Sequence, residues 1–346
     1  MAMQDRRKFL MLSFGAGGMA ALGVAALWRG SSPQVMAAPL SKSLEGLQAA
    51  ERRGHALGTE VRMIVLHEHR EQAEAALEAA FAELELVERV MSIYRTESQL
   101  SQLNRDGQLR NPHPYLVEVL RSSQAMAERS NGAFDVTVQP LWELYAAAQK
   151  SGELPSDESV ETARSKVDWK KLEVSTTHVL IDRGMKVTLN GIAQGYAGDR
   201  VIKKLRSFGV THALANTGEV ATLGRKASGE PWVAGIQHPR EADALLGLAN
   251  LDGLSLSTSG DYATNFSADR AYNHIFDPAT GRSPMAFSSV SITSPSCTDA
   301  DALSTAVFVA GPERGLELVR ETPGADALFV HKDGLQRKTD GFPLSA

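Results

Sequence analysis

The chain has 346 residues, a net charge of −5 and an ordinary globular composition, so it can bury a large core and lacks the basic excess of a nucleic-acid binder. Its single cysteine, Cys297, excludes an intramolecular disulfide and any cysteine-built zinc or iron–sulfur site. The histidines are scattered without metal-ligand spacing. His67 and His69, at the end of "VRMIVLHEH", point the same way along a strand and read as surface residues, with metal binding as a minor alternative.

At the N-terminus, "DRRKFLML" sets Arg6-Arg7 before a weakly apolar run that ends near Trp28, and "VMAAP" offers small residues for cleavage near Ala37 or Ala38. Residues 1–38 therefore read as a twin-arginine signal peptide, which places the mature protein in the periplasm. The alternative is a retained membrane anchor. Residues 39–55 read as a linker and 56–346 as one domain.

Val61–Leu66 is a strand candidate. In "EQAEAALEAAFAELELVERVMS", Leu77, Phe81, Leu84 and Val87 recur at three and four, the spacing of an amphipathic helix. "IYRTESQLSQLNR" reads as a polar loop with one helical turn. Pro114 to Ser130 is a helix that Asn131-Gly132 ends. "SGELPSDES" reads as a surface loop, and "HVLIDRGMKVTL" as a hairpin turning near Asp182-Arg183-Gly184. "NGIAQGYAGDRVIKKLRSFG" is a glycine-opened helix with Val201, Ile202, Leu205 and Phe208 on its buried face. Several strands follow, then helices at "DADALSTAVFVAG" and "GLELVRETPG", and a last strand "DALFVH". The mixture of hairpins and crossovers predicts an α+β fold, a mixed α/β single unit rather than a doubly wound parallel sheet.

Several segments could carry chemistry. "TLNGIAQGY" is a strand, a glycine turn and a helix start, and a helix N-terminus suits phosphate; it is neither a Walker loop nor a Rossmann fingerprint, and a structural turn is the plainer reading. In "SCTDADALSTA", Asp301 and Thr305 share a helix face as hard-oxygen donors suited to Mg²⁺, while N-capping is the competing explanation. Asp135 follows a helix stop, Phe134 beside it reads equally as packing, and Tyr94 offers either an aromatic face for a flat ring or a core edge. "STSGDY" (257–262) and "YNHIFDPATGRSP" (272–284) are hydroxyl- and glycine-containing turns, in which Asp277 braces its own turn or His274.

Taken jointly and in order, "SIYRTESQLSQLN", "GAFDVTVQPL", "GIAQGYAGDRV", "STSGDY", "NHIFDPATGRSP" and "TDADALSTAVFVAG" resemble the ApbE-like FAD:protein FMN transferases, from Ala56 to Val330. The "TLNGIAQGY" wording with a twin-arginine signal looks most like the NosX-like branch, which serves nitrous-oxide reductase maturation. The resemblance implies FAD as donor, Mg²⁺ as metal, and transfer of FMN to a threonine hydroxyl of an exported or membrane flavoprotein with release of AMP. It implies Mg²⁺ ligands at the Gly191 carbonyl, Asp301 and Thr305. Implied flavin contacts fall on Leu57, Tyr94, Ala133, Phe134, Asp135, His274 and Ile275. At two further flavin positions the chain departs from the family: Thr188 stands where Asp is usual, and Gln194 where Lys is usual.

His274 is the only histidine inside a matched motif, and its ordinary pKa lies near neutrality, so it is the candidate to steer or deprotonate the acceptor hydroxyl. The alternative role is a backbone-bonding residue that shapes the pocket. Two further functions stay open: a pyrophosphatase giving FMN and AMP, and a non-catalytic flavin-holding assembly factor.

Overall fold

The structure is a computed structural model that describes residues 46–345. The expected signal segment lies outside the described residues. Eight strands form the main sheet, in the order β1-β2-β6-β7-β10-β11-β12-β13. They are β1 (Gln48–Ala56), β2 (Thr59–His67), β6 (His212–Asn216), β7 (Val220–Leu223), β10 (Ser255–Gly260), β11 (Phe287–Ser294), β12 (Asp326–His331) and β13 (Gln336–Lys338). Every neighbouring pair in this sheet runs antiparallel, as an α+β fold requires. Two three-stranded sheets complete the strands: β14 (Leu344–Ser345), β9 (Leu245–Leu251) and β8 (Trp232–Gln237); and β3 (Gln108–Arg110), β5 (His178–Leu180) and β4 (Glu173–Val174).

The helices are α1 (Arg70–Met91), α2 (Gln99–Asp106), α3 (Pro114–Arg129), α4 (Gln139–Ser151), α5 (Asp157–Arg164), α6 (Ala193–Ser207) and α7 (Cys297–Arg320). The main core lies between one face of the large sheet and α1, α2, α3, α6 and α7. A second core lies on the opposite face, under β8 and β9. Strand β2 shows why both form: Val61, Met63 and Val65 enter the first core and Ile64 the second, so residues 63–66 are a continuous apolar run. A third cluster joins α4 and α5 to the 262–284 loop through Leu141, Tyr145, Val160, Phe266 and Phe276.

Helix α7 joins the two expected helices across a kink. Gly311, at φ 80°, ends the first, and Pro312 begins the second, where its missing N–H costs no bond.

Four expectations change. The linker 39–55 carries most of β1, an edge strand with a charged sequence in which Ala50 and Ala56 are buried; its ladder to β2 replaces the missing apolar pattern. The 178–189 segment is not a hairpin. β5 pairs with β3 and β4, and Val187 is held instead by the Asn104 side-chain amide, which both donates to its carbonyl (2.7 Å) and accepts from its N–H (2.6 Å). Phe208 is an exposed residue just beyond the end of α6. Helix α5 begins inside the expected 151–159 loop, where Ser156 Oγ accepts from the Ser159 N–H (3.2 Å).

Candidate active site

The glycine turn 188–192 enters α6 beside the first turns of α7. The start of α6 has no side-chain cap of its own, so its early N–H groups need outside partners. Asp301 Oδ2, on α7, accepts from the Gly195 N–H at 2.8 Å. The two helices approach closely there: a Cβ on Gly195 would lie 2.3 Å from the Cys297 carbonyl oxygen and 2.6 Å from Asp301 Cβ. Asp301 does not cap its own helix. Ser296 Oγ accepts from the Asp299 N–H (3.1 Å), and Asp199 of α6 accepts from the Cys297 and Thr298 N–H groups (both 2.9 Å) and from Thr298 Oγ1 (2.6 Å). Asp301 is thereby free for other work.

Thr305 lies one turn on. A Cβ on Gly191 would lie 3.0 Å from Thr305 Oγ1 and 3.4 Å from the Phe134 ring. Gly191, Thr305 and Phe134 therefore meet at one point, and a side chain at 191 would crowd it. From β10, Ser259 Oγ hydrogen-bonds with Thr305 Oγ1 (3.0 Å) and Ser304 Oγ (2.7 Å). The Thr305 and Ser259 hydroxyls lie at this point and the Asp301 carboxylate one helical turn before Thr305, all hard oxygen donors. Among the described residues no group of three His, Cys, Asp or Glu side chains forms a metal cage.

Burial pushes the Asp301 carboxyl up to about 7. Glu219, on the β6–β7 turn, is raised well above the carboxylate range, first by burial and then by the charge of Asp301. Its Oε2 accepts from the Thr258 N–H at 3.2 Å. Sequence reasoning passed over Glu219 because "NTGEV" reads as a plain turn.

The strand that presents Ser259 also reaches His274. After β10, the Thr264 carbonyl accepts from the His274 N–H (3.1 Å) and lies 3.3 Å from His274 Nδ1. Asn265 bridges Asn273, and the Phe266 N–H donates to the Tyr272 carbonyl (2.8 Å). "STSGDY" and "YNHIFDPATGRSP" thus form one wall. Donation from Nδ1–H to Thr264 fixes the tautomer that leaves Nε2 as acceptor. Burial lowers the His274 pKa below its ordinary value, keeping the ring neutral near pH 7. Ile275 enters the main core, and its N–H donates to the buried Asn273 side chain (3.0 Å). Asp277 braces its own turn: its carboxylate accepts from the Ala279 N–H (2.9 Å) and Thr280 Oγ1 (3.0 Å).

The remaining candidates occupy neighbouring loops. Leu57, at φ 53° in the β1–β2 turn, donates its N–H to Glu88 (3.1 Å), and the same carboxylate holds Arg95 (2.9 Å). Glu88 thereby ties the Leu57 turn to the Tyr94 segment. Tyr94 is 42% exposed, and its hydroxyl lies beside Asn190 of the glycine turn. Ala133 and Phe134 follow α3, with the Phe134 N–H on Ser130 Oγ (3.0 Å). Asp135 is buried, and its oxygens accept from the Thr137 N–H and hydroxyl (2.7 and 2.6 Å) and the Trp169 N–H (3.1 Å). In this structure its carboxylate organises its own loop. Thr188 Oγ1 accepts from the Asn190 N–H (3.3 Å). The Gln194 amide lies against Gly218, where a Cβ would meet it at 2.4 Å.

The sequence profile of the ApbE family matches residues 57–329. The FAD:protein FMN transferase of Treponema pallidum is 32% identical over 296 residues, 78% of this chain and 81% of that protein. The enzyme of the same name from Escherichia coli K12 is 28% identical over 272 residues, 74% of this chain and 77% of its own length. Among solved structures, the apo form of the Pseudomonas stutzeri flavinyl transferase ApbE superposes with a TM-score of 0.76 at 29% identity, covering 88% of this chain and 100% of that one. The ApbE protein of Thermotoga maritima gives 0.76 at 31% identity, covering 86% and 100%.

Proposed function

Since this chain belongs to the ApbE family, whose relatives are FAD:protein FMN transferases, we propose that it moves the FMN half of FAD onto a threonine hydroxyl of an acceptor flavoprotein and releases AMP. The observation that carries this reading is the meeting of Gly191, Asp301 and Thr305 at the start of α6, with the His274 wall attached to them through β10.

The donor set fits Mg²⁺. It is oxygen-only, contains one ligating carboxylate, and leaves positions for water and for substrate phosphate oxygens, which Mg²⁺ prefers over a full protein cage. The Gly191 carbonyl, Asp301 and Thr305 Oγ1 would hold the ion, and bound there it would offset charge on the pyrophosphate. The protein's own groups do the rest. His274 Nε2 accepts the proton of the incoming threonine hydroxyl, because Nδ1 is committed to Thr264 and the ring is neutral. The threonine oxygen forms its bond to the FMN-side phosphorus as the bond to AMP breaks. Leu57, Tyr94, Ala133–Phe134 and Ile275 line the flavin side. Thr188 and Gln194 contact FAD as neutral groups. The Arg6-Arg7 segment and the NosX-like wording of the glycine turn support a periplasmic enzyme acting on an exported or membrane flavoprotein, in nitrous-oxide reductase maturation.

The test is incubation with FAD, MgCl₂ and a candidate acceptor, read by mass spectrometry. An FMN adduct on an acceptor threonine, lost in Asp301→Ala, is the expected result. Free FMN without adduct identifies a pyrophosphatase, and unchanged bound FAD a carrier; either overturns the proposal. Transfer by Asp301→Ala at the parent rate removes the metal assignment.

A further inference from the structure

Glu219 and Asp301 are two buried carboxylates, 8% and 4% exposed, that act on each other electrostatically. Among the described residues neither has a cationic side chain as ion-pair partner, and no cation contributes to the electrostatics of either. Two other buried carboxylates are matched by cations, while Asp135 is held by N–H and hydroxyl donors. Asp261 carries Arg240 and Lys332, and Glu83 carries Arg200 and Lys204. Buried charge without a partner is costly, so such pairs take up a cation or a proton.

The position of Glu219 is built rather than accidental. The Thr217 N–H donates to the Glu219 carbonyl (2.9 Å), and Thr217 Oγ1 donates to the Gln194 carbonyl in the first turn of α6 (3.1 Å). The side chain is pinned by the Thr258 N–H, one residue before the Ser259 that holds Thr305. Ser257 adds an independent sign. Its side chain is fully buried and lies beside Glu219, close enough to favour the charged carboxylate, yet its hydroxyl meets no partner with hydrogen-bond geometry. No side chain supplies that hydroxyl with a bond of full geometry or the carboxylate pair with a positive charge, and a cation would supply the charge.

We propose that Glu219 belongs to the cation-binding machinery, supplying with Asp301 the second negative charge that holds the divalent ion at the Gly191–Thr305 point. This rests on the Mg²⁺ reading of that site. Glu219 acts on the ion as a positioning residue behind Asp301. A group in that role typically changes metal affinity by roughly 10- to 100-fold when removed.

The experiment is calorimetric titration of MgCl₂ into the FAD-free protein, for the parent, Glu219→Gln and Asp301→Asn, with thermal unfolding of each with and without Mg²⁺. The expected result is that Glu219→Gln binds Mg²⁺ roughly 10- to 100-fold more weakly. It should also melt no lower than the parent without Mg²⁺, since it removes a carboxyl whose ionisation burial and Asp301 oppose, and gain less from added Mg²⁺. A merely structural role would instead lower the Mg²⁺-free melting point. Parent-like affinity in Glu219→Gln, with loss in Asp301→Asn, overturns this inference and leaves the Mg²⁺ site standing. A parent that binds no Mg²⁺ removes the site itself. If Glu219→Gln does not fold, anomalous scattering from Mn²⁺-soaked crystals of the parent decides: an ion within about 6 Å of both carboxylates supports the role, and one remote from Glu219 refutes it.

Discussion

Gly195→Ala tests the helix contact on which the site depends. The added Cβ would stand 2.3 Å from the Cys297 carbonyl oxygen and 2.6 Å from Asp301 Cβ. Comfortable carbon contacts begin near 3.5 Å, so α6 and α7 must part by about 1 Å. Gly195 is not among the residues with positive φ, so the cost is one of space and not of backbone conformation. Overpacking of this kind costs about 1–3 kcal/mol. Parting the helices also strains the Gly195 N–H bond to the Asp301 carboxylate, and a bond to a charged group is worth about 1.5–3 kcal/mol. The sum is about 2.5–6 kcal/mol, and at about 2–4 °C per kcal/mol for a large domain the melting temperature should fall by at least about 5 °C. Gly58→Ala is the contrasting control. Nothing lies within 4 Å of its Cβ, but φ is 76°, so its cost is the left-handed backbone alone, about 1–2 kcal/mol. Thermal unfolding by circular dichroism measures both, and Mg²⁺ titration should show weaker binding in Gly195→Ala, because Asp301 moves. Melting of Gly195→Ala within about 2 °C of the parent, or a larger loss in Gly58→Ala, would refute the packing argument.

At saturating Mg²⁺, burial places the His274 pKa below its ordinary 6.5, so transfer should be level at neutral pH and fall only as pH drops through the lowered value; His274→Gln should lose most activity and that acid limb together. The same shift has a stability consequence: below pH 6.5 the unfolded chain binds the proton more readily, so this group's contribution to stability is lost as pH falls, which pH-dependent melting can check. Thr188→Asp with Gln194→Lys should tighten FAD binding by about tenfold, since charge-assisted bonds exceed neutral ones by about 1.4 kcal/mol, while each single change helps less or harms by adding one unbalanced charge; fluorescence titration that shows no gain would remove both positions from the flavin site. Arg6→Lys with Arg7→Lys should strand the precursor in the cytoplasm, and normal mature protein in a periplasmic fraction would remove the twin-arginine assignment.

What the sequence could settle by itself was local. Helix α1 was legible from its apolar spacing, the end of α3 from Asn131-Gly132, and the pairing of Asp301 with Thr305 from their four-residue separation on one helix. Asp277 was legible as a turn brace because its partners, Ala279 and Thr280, lie within three residues. Tertiary structure decided the rest, because the partners lie far apart in the chain. Strand β1 has almost no apolar pattern and exists by pairing with β2. Val187 takes its strand-like bonds from Asn104, so no local hairpin signal could be true there. Asp301 reads as a helix cap until Asp199, about a hundred positions earlier, is seen to satisfy the helix start instead. Glu219 carries no sequence signal at all. Its importance comes from burial beside Asp301 on a different element, and burial and mutual charge are properties of the folded arrangement, not of "NTGEV".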